Sequence, residues 1–253
     1  MKVSAICTAI AIAVGMFAHS VSATEEIDTK IKPVHFESNI EWLTFKLPNV
    51  QIRYFSKEQV SIWQHVDVEL VKQISYNVAR ILYKEEGKAP KLPLLEIILE
   101  DMDGVAYKEG DFTGAKIHIS AQYLIKYQQS HPQQALYDEL IGILYHEIAH
   151  AYQLDDHNYK EIGPIIEGIA DVVRMKGGYV DFSKRKKGGN YDSGYKTTAF
   201  FLHWLEEHHH PNLLVELNAQ LDPFDNKKWS WGSFSSSMKI NLDSAWSNYQ
   251  KTL

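Results

Sequence analysis

Two histidines four residues apart, with a glutamate directly after the first, constrain this chain more than any other feature: residues 144–153 read LYHEIAHAYQ. On a helix, His146 and His150 project from one face and can bind the same ion. Glu147 then lies beside them, close enough to reach a water on that ion without ligating it. A zinc held in this way lowers the pKa of its bound water towards 7, and the neighbouring carboxylate can take the proton. The chain has 12 His, so chance alone can produce such a match, and the surroundings decide. Upstream, Leu136, Leu140, Ile143 and Leu144 recur at helical spacing, with Pro132 just inside the expected start and Ser130 available as a cap. The motif therefore falls on a buried helix, where two unpaired imidazoles are costly and two ligating ones are satisfied.

A third ligand is required, and two candidates compete. Asp156 lies six residues after His150, but Gln153 stands where a glycine would give the chain a sharp turn, and His157 is one position out of register. Glu167 is reached through a loop over 155–164. On a following helix it shares a face with Asp171, so Glu167 can complete a His₂Glu site while Asp171 accepts a hydrogen bond from a ligand imidazole. Ile165, Ile166, Ile169, Ala170, Val172 and Val173 make this helix largely apolar, so carboxylates on it need partners. Glu167 is the favoured ligand.

The run HExxHxxQ followed by IEGIADVVR at 166–174 resembles the basic secretory protein family of plant and bacterial peptidases. The segments GVAY at 104–107, GYKTTAFFL at 194–202, ELN at 216–218 and WSNY at 246–249 also fit, so the resemblance covers roughly residue 101 to the C-terminus. It implies a zincin-like fold, zinc-dependent peptide hydrolysis and a peptide or protein substrate. In such peptidases an edge strand beside the cleft pairs with the extended substrate, and the candidate here is the strand over 115–121. An oxyanion donor is also needed; Tyr195 is the candidate, with Tyr107 as a rival. One departure is charge, because this chain is acidic.

Lys2 followed by the apolar stretch 3–18, with small residues at 21–23, reads as a signal peptide over 1–23 cleaved after Ala23. The one Cys, Cys7, lies inside that leader, so the remaining chain has neither disulfides nor thiolate metal sites. Without Lys2 the balance becomes 25 basic against 32 acidic residues, a net charge of about −7. That charge argues against nucleic acid or anionic lipid as the partner, and no later segment is apolar enough to anchor in a membrane. The expectation is an exported protein, periplasmic or extracellular, acting as a monomer.

Residues 24–253 are expected to form one domain. Its first part, 24–32, reads as a loose polar tail. Strands are expected at 49–55, 94–100 and 116–120, the last half-buried and at an edge, with a helix from about Val66 to Leu82 between the first two. Helices dominate after the HExxH segment, which gives an α+β order: a small mixed sheet, the active-site helix and a mainly helical C-terminal half. The basic run 184–189 reads as a solvated loop and His208–His210 as a surface turn before Pro211. Trp229, Trp231, Trp246 and Tyr249 read as a packed C-terminal cap.

The expected function is that of an exported zinc metallopeptidase. His146, His150 and Glu167 hold Zn²⁺, Glu147 serves as base and then acid, Asp171 orients a ligand imidazole, and Arg174 pairs with an acidic neighbour. Two other readings are a zinc hydrolase of esters or non-peptide amides, and a non-catalytic peptide- or glycan-binding protein on the same fold. Retention of the unligated Glu147 argues against the second, since a binder has no need of it.

Overall fold

Leu95, Ile97 and Leu99 alternate along β2 (Leu94–Glu100) and are all fully buried, which fixes one face of a sheet against the helices. Ala115, Ile117 and Ile119 do the same in β4 (Gly114–Ser120), and Val50 in β1 (Asn49–Tyr54). The computed structural model describes residues 26–36 and 40–253, and the expected leader over 1–23 lies outside them. The sheet has four strands in the order β1-β2-β4-β3, where β3 is Ala106–Asp111. β1, β2 and β4 run parallel, and β3 is antiparallel to β4. The other sheet face carries charge, with Arg53 bonded to Glu96, Lys116 to Glu109 and His118 to Glu100 around the buried Ile98.

This order corrects one expectation. The strand at 115–121 is not an edge: β4 lies between β2 and β3, and the edges are β1 and β3.

Helix α1 (Val68–Leu82) is capped by the Asp67 carboxylate, which accepts from Leu70 N. It packs against β1 and beside α3 (Gln133–Tyr152), which follows the short α2 (Ala121–Gln128) and itself packs on β3 and β4. α3 is buried nearly all round from Leu136 to Tyr152, as befits a helix enclosed by other elements. It begins at Gln133 with Pro132 in the capping position, and Ser130 does not cap it. α4 (Tyr159–Lys176) starts earlier than expected, so Pro164 lies inside it and the preceding loop is short.

α5 (Tyr195–His208) crosses α4 closely at Gly168, where an added Cβ would stand 2.6 Å from Thr198 Cγ2. α6 (Leu213–Ala219), α7 (Trp231–Met238) and α8 (Leu242–Lys251) follow, and Phe201, Trp204, Trp246 and Tyr249 pack ring against ring. One hydrophobic core runs from Trp42 to Tyr249. The basic run after Phe182 is largely exposed; α5 extends through His208, so of the expected turn over 208–210 only His209 and His210 lie beyond the helix.

The described part of the N-terminal tail is docked rather than loose. Asp28 N donates to Gln134 Oε1, Lys32 Nζ bonds Asp138 at 2.7 Å and sits over the Tyr179 ring, and Ile27 and Ile31 pack on the core.

Candidate metal centre and active site

Helices α3 and α4 pack side by side, and their spacing builds the centre. His146 and His150 stand one turn apart on α3; Glu167 and Asp171 stand one turn apart on the facing side of α4. His146 Nε2 lies 3.1 Å from His150 Nε2 and 3.2 Å from Glu167 Oε2, and His150 Nε2 lies 3.7 Å from the same oxygen. A tetrahedral ion with bonds of about 2.0–2.1 Å requires donors about 3.3 Å apart. The three distances bracket that value.

The chemistry of the donors agrees with the distances. His146 Nδ1 lies 3.0 Å from the buried Asp171 carboxylate, which holds the ring proton on Nδ1. Nε2 then presents a lone pair towards a carboxylate oxygen that also offers only lone pairs, and a cation between them satisfies both. The same opposition shifts the pKa values. Burial pushes His146 down, but hydrogen bonds to Asp171 and Glu167 outweigh it and raise the imidazole to about 9. Burial pushes Glu167 up, yet the two imidazoles bring its carboxyl down to about 2. A proton on His146 and a metal ion are competing answers to the same negative charge.

Glu147 is 6 % exposed, and its Oε2 has no hydrogen-bond partner among the described residues. Burial raises its pKa, opposed by His150 and His146. A carboxylate so placed is suited to exchange protons with a group in the cleft.

Asp156, the rival ligand, is occupied elsewhere. Its carboxylate accepts from Asn158 N at 2.8 Å and from Trp229 N at 2.6 Å, tying the turn after α3 to the segment before α7. Glu167 is the carboxylate that joins the two imidazoles.

Tyr195 opens α5 in the left-handed region (φ 46°), a conformation costly for an aromatic residue. It lays the ring parallel to that of His146, 6.3 Å away. The charge of Glu167, followed by burial, raises the phenol pKa. Tyr107, its rival, is stacked on His118 at 4.5 Å. The two are register partners, and His118 alternates with the buried Ile117 and Ile119, so Tyr107 points to the sheet face away from α3.

A cleft of about 1190 Å³ surrounds the centre. β3 forms one wall and reaches from the α2 end, beside Tyr123, to the turn at Phe112 and Thr113. Lys108 faces into it; burial lowers its pKa, against the charges of Asp155 and Asp111. Beyond the C-terminal end of α3 the walls are aromatic, with Tyr159 at 60 % and Phe224 at 80 % exposure. Towards the other end lie Ile143 and the bonded set Tyr123–Glu139–Arg174. Arg174 pairs with Glu139 at 2.7 Å, as its place on α4 led one to expect. It passes over Gly142, where a Cβ would stand 2.6 Å from its Nε.

Two participants are not apparent from sequence. β3 carries too few apolar residues to read as a strand. Gln153 also places its side-chain amide 3.0 Å from His150 Nδ1, and the motif spacing, three residues past the second His, was the available signal.

A family model described as a peptidase of plants and bacteria matches residues 56–249. Neither the curated proteins nor the solved structures include a match.

Proposed function

The chain belongs to the basic secretory protein family of plant and bacterial peptidases, and from that premise we propose that it is an exported zinc metallopeptidase with a zincin-like arrangement of sheet and metal helix. One observation carries the reading: Nε2 of His146, Nε2 of His150 and Oε2 of Glu167 converge at tetrahedral spacing beside the unpartnered Oε2 of Glu147. Zinc held there supplies Lewis acidity towards water and a peptide carbonyl.

The chain's own residues supply the rest. Glu147 takes a proton from the attacking water and delivers it to the leaving amine. Asp171 keeps the His146 proton on Nδ1 so that Nε2 remains a ligand. Tyr195, on the same side as Glu167, donates its phenol hydrogen to the oxygen that gains charge. The open edge of β3 offers backbone groups to an extended peptide, and the exposed rings of Tyr159 and Phe224 offer an apolar surface to its side chains.

The test is Glu147→Gln beside wild type, with zinc content by mass spectrometry and hydrolysis of casein, small esters and acylated sugars. Zinc retained and casein hydrolysis abolished support the mechanism. Casein hydrolysis that persists in the variant refutes it.

A further inference from the structure

A neutral imidazole has one N–H and one lone pair, so a histidine that ligates through Nε2 must carry its proton on Nδ1 and needs an acceptor there. For His146 that acceptor is Asp171. The proposed zinc site, on which the role of the next residue depends, also gives His150 its Nε2 as the ligating atom, and the group facing its Nδ1 is the side-chain amide of Gln153. Gln153 is 4 % exposed, its Nε2 lies 3.0 Å from the ring nitrogen, and its Oε1 is buried without a partner among the described residues. An NH₂ group facing Nδ1 would place the imidazole proton on Nε2, pointed at the lone pairs of His146 and Glu167. Turning the amide about its last bond exchanges two groups of nearly the same shape and sets Oε1 against Nδ1–H.

We infer that Gln153 is the positioning residue of His150, accepting the Nδ1 proton through Oε1 and thereby directing the Nε2 lone pair into the metal centre. The site thus holds its two imidazoles unequally, one by an anion and one by a neutral amide. Gln153 is suited to the task because it ends α3: its backbone N–H bonds Ala149 O at 2.7 Å, which fixes the side chain one turn below the ring. That backbone bond survives substitution of the side chain, so the role of the amide can be tested separately.

The experiment is zinc affinity by competition with a chelator for the full mature protein, wild type beside Gln153→Leu and Gln153→Glu, with the unfolding midpoint of each metal-stripped protein. Leucine removes the acceptor and is expected to weaken zinc binding about 10–100-fold; glutamate restores an acceptor and is expected to stay within a few-fold of wild type. Equal affinities in all three proteins, or equal losses in both variants, overturn the assignment and leave only packing. Wild-type protein that takes up no zinc overturns the metal reading and this assignment together. Should Gln153→Leu fail to fold, Gln153→Met, which keeps the length of the side chain and removes the amide oxygen, takes its place in the same comparison: weakened zinc binding supports the assignment, and wild-type affinity refutes it.

Discussion

The Asp171 carboxylate and the His146 imidazole, on different helices, meet at 3.0 Å in a part of the protein where neither is more than 9 % exposed. A buried anion of this kind is stable only with a charged or strongly donating partner. Asp171 therefore links the packing of α4 on α3 to the ionisation of the centre.

In metal-stripped protein this link makes stability depend on pH. The folded His146 value is raised from 6.5 to about 9, so its stabilisation is complete below about 6.5 and is lost as pH rises through about 9. The Glu167 value is lowered from 4.5 to about 2, so its stabilisation is complete above about 4.5 and is lost as pH falls through about 2. Both are present between about 4.5 and 6.5. Urea unfolding should show stability falling from about pH 6 to about 9.5, with a shallower fall in His146→Asn; a rise over that range in the wild type contradicts the assignment.

Glu167→Ala and Asp156→Ala should separate two carboxylates with different work. The first is expected to lose stoichiometric zinc. The second should keep it while losing about 1–3 kcal/mol of stability, because Asn158 N and Trp229 N lose their acceptor. Metal analysis with thermal unfolding reads both; zinc lost from Asp156→Ala alone would move the third ligand to that turn.

Tyr195→Phe keeps the ring beside His146 and removes its hydroxyl. A fall in kcat of about 100-fold or more with KM nearly unchanged is expected if the phenol acts on the developing charge. A rise in KM alone would make Tyr195 a wall of the cleft.

Gly168→Ala forces a methyl group against Thr198, whose Oγ1 is held by Gly194 N and Tyr191 O and cannot yield. Helix propensity gains about 1 kcal/mol, but overpacking costs about 1–3 kcal/mol, for a net loss and a displaced α5. Adding Thr198→Ser removes Cγ2 and should recover stability in thermal melts. Failure to recover would place the strain elsewhere.

The centre was legible because its parts are local. His146, Glu147 and His150 are fixed by one helix, and Glu167 and Asp171 by the next, each with apolar periodicity to mark it. The choice between Glu167 and Asp156 was harder, since Asp156 is used by Trp229, 73 residues away. β3 was missed because one face points to water and the other to a polar cleft, so Ala106–Asp111 shows no apolar alternation. The docking of the tail was missed for the same kind of reason: Lys32 finds Asp138 106 residues later, a pairing no local pattern announces.

The open edge of β3 has a second consequence, for how copies of the chain behave towards each other. Unpaired backbone groups that can receive a peptide can also receive another molecule's strand and start aggregation. β3 spans only six residues, carries Lys108, Glu109 and Asp111, and twists at Gly110 with φ 88°. Short length, charge and twist make it a poor template for long, flat, self-matching strands. The features that leave β3 open at the cleft therefore also limit its pairing with another copy of the chain.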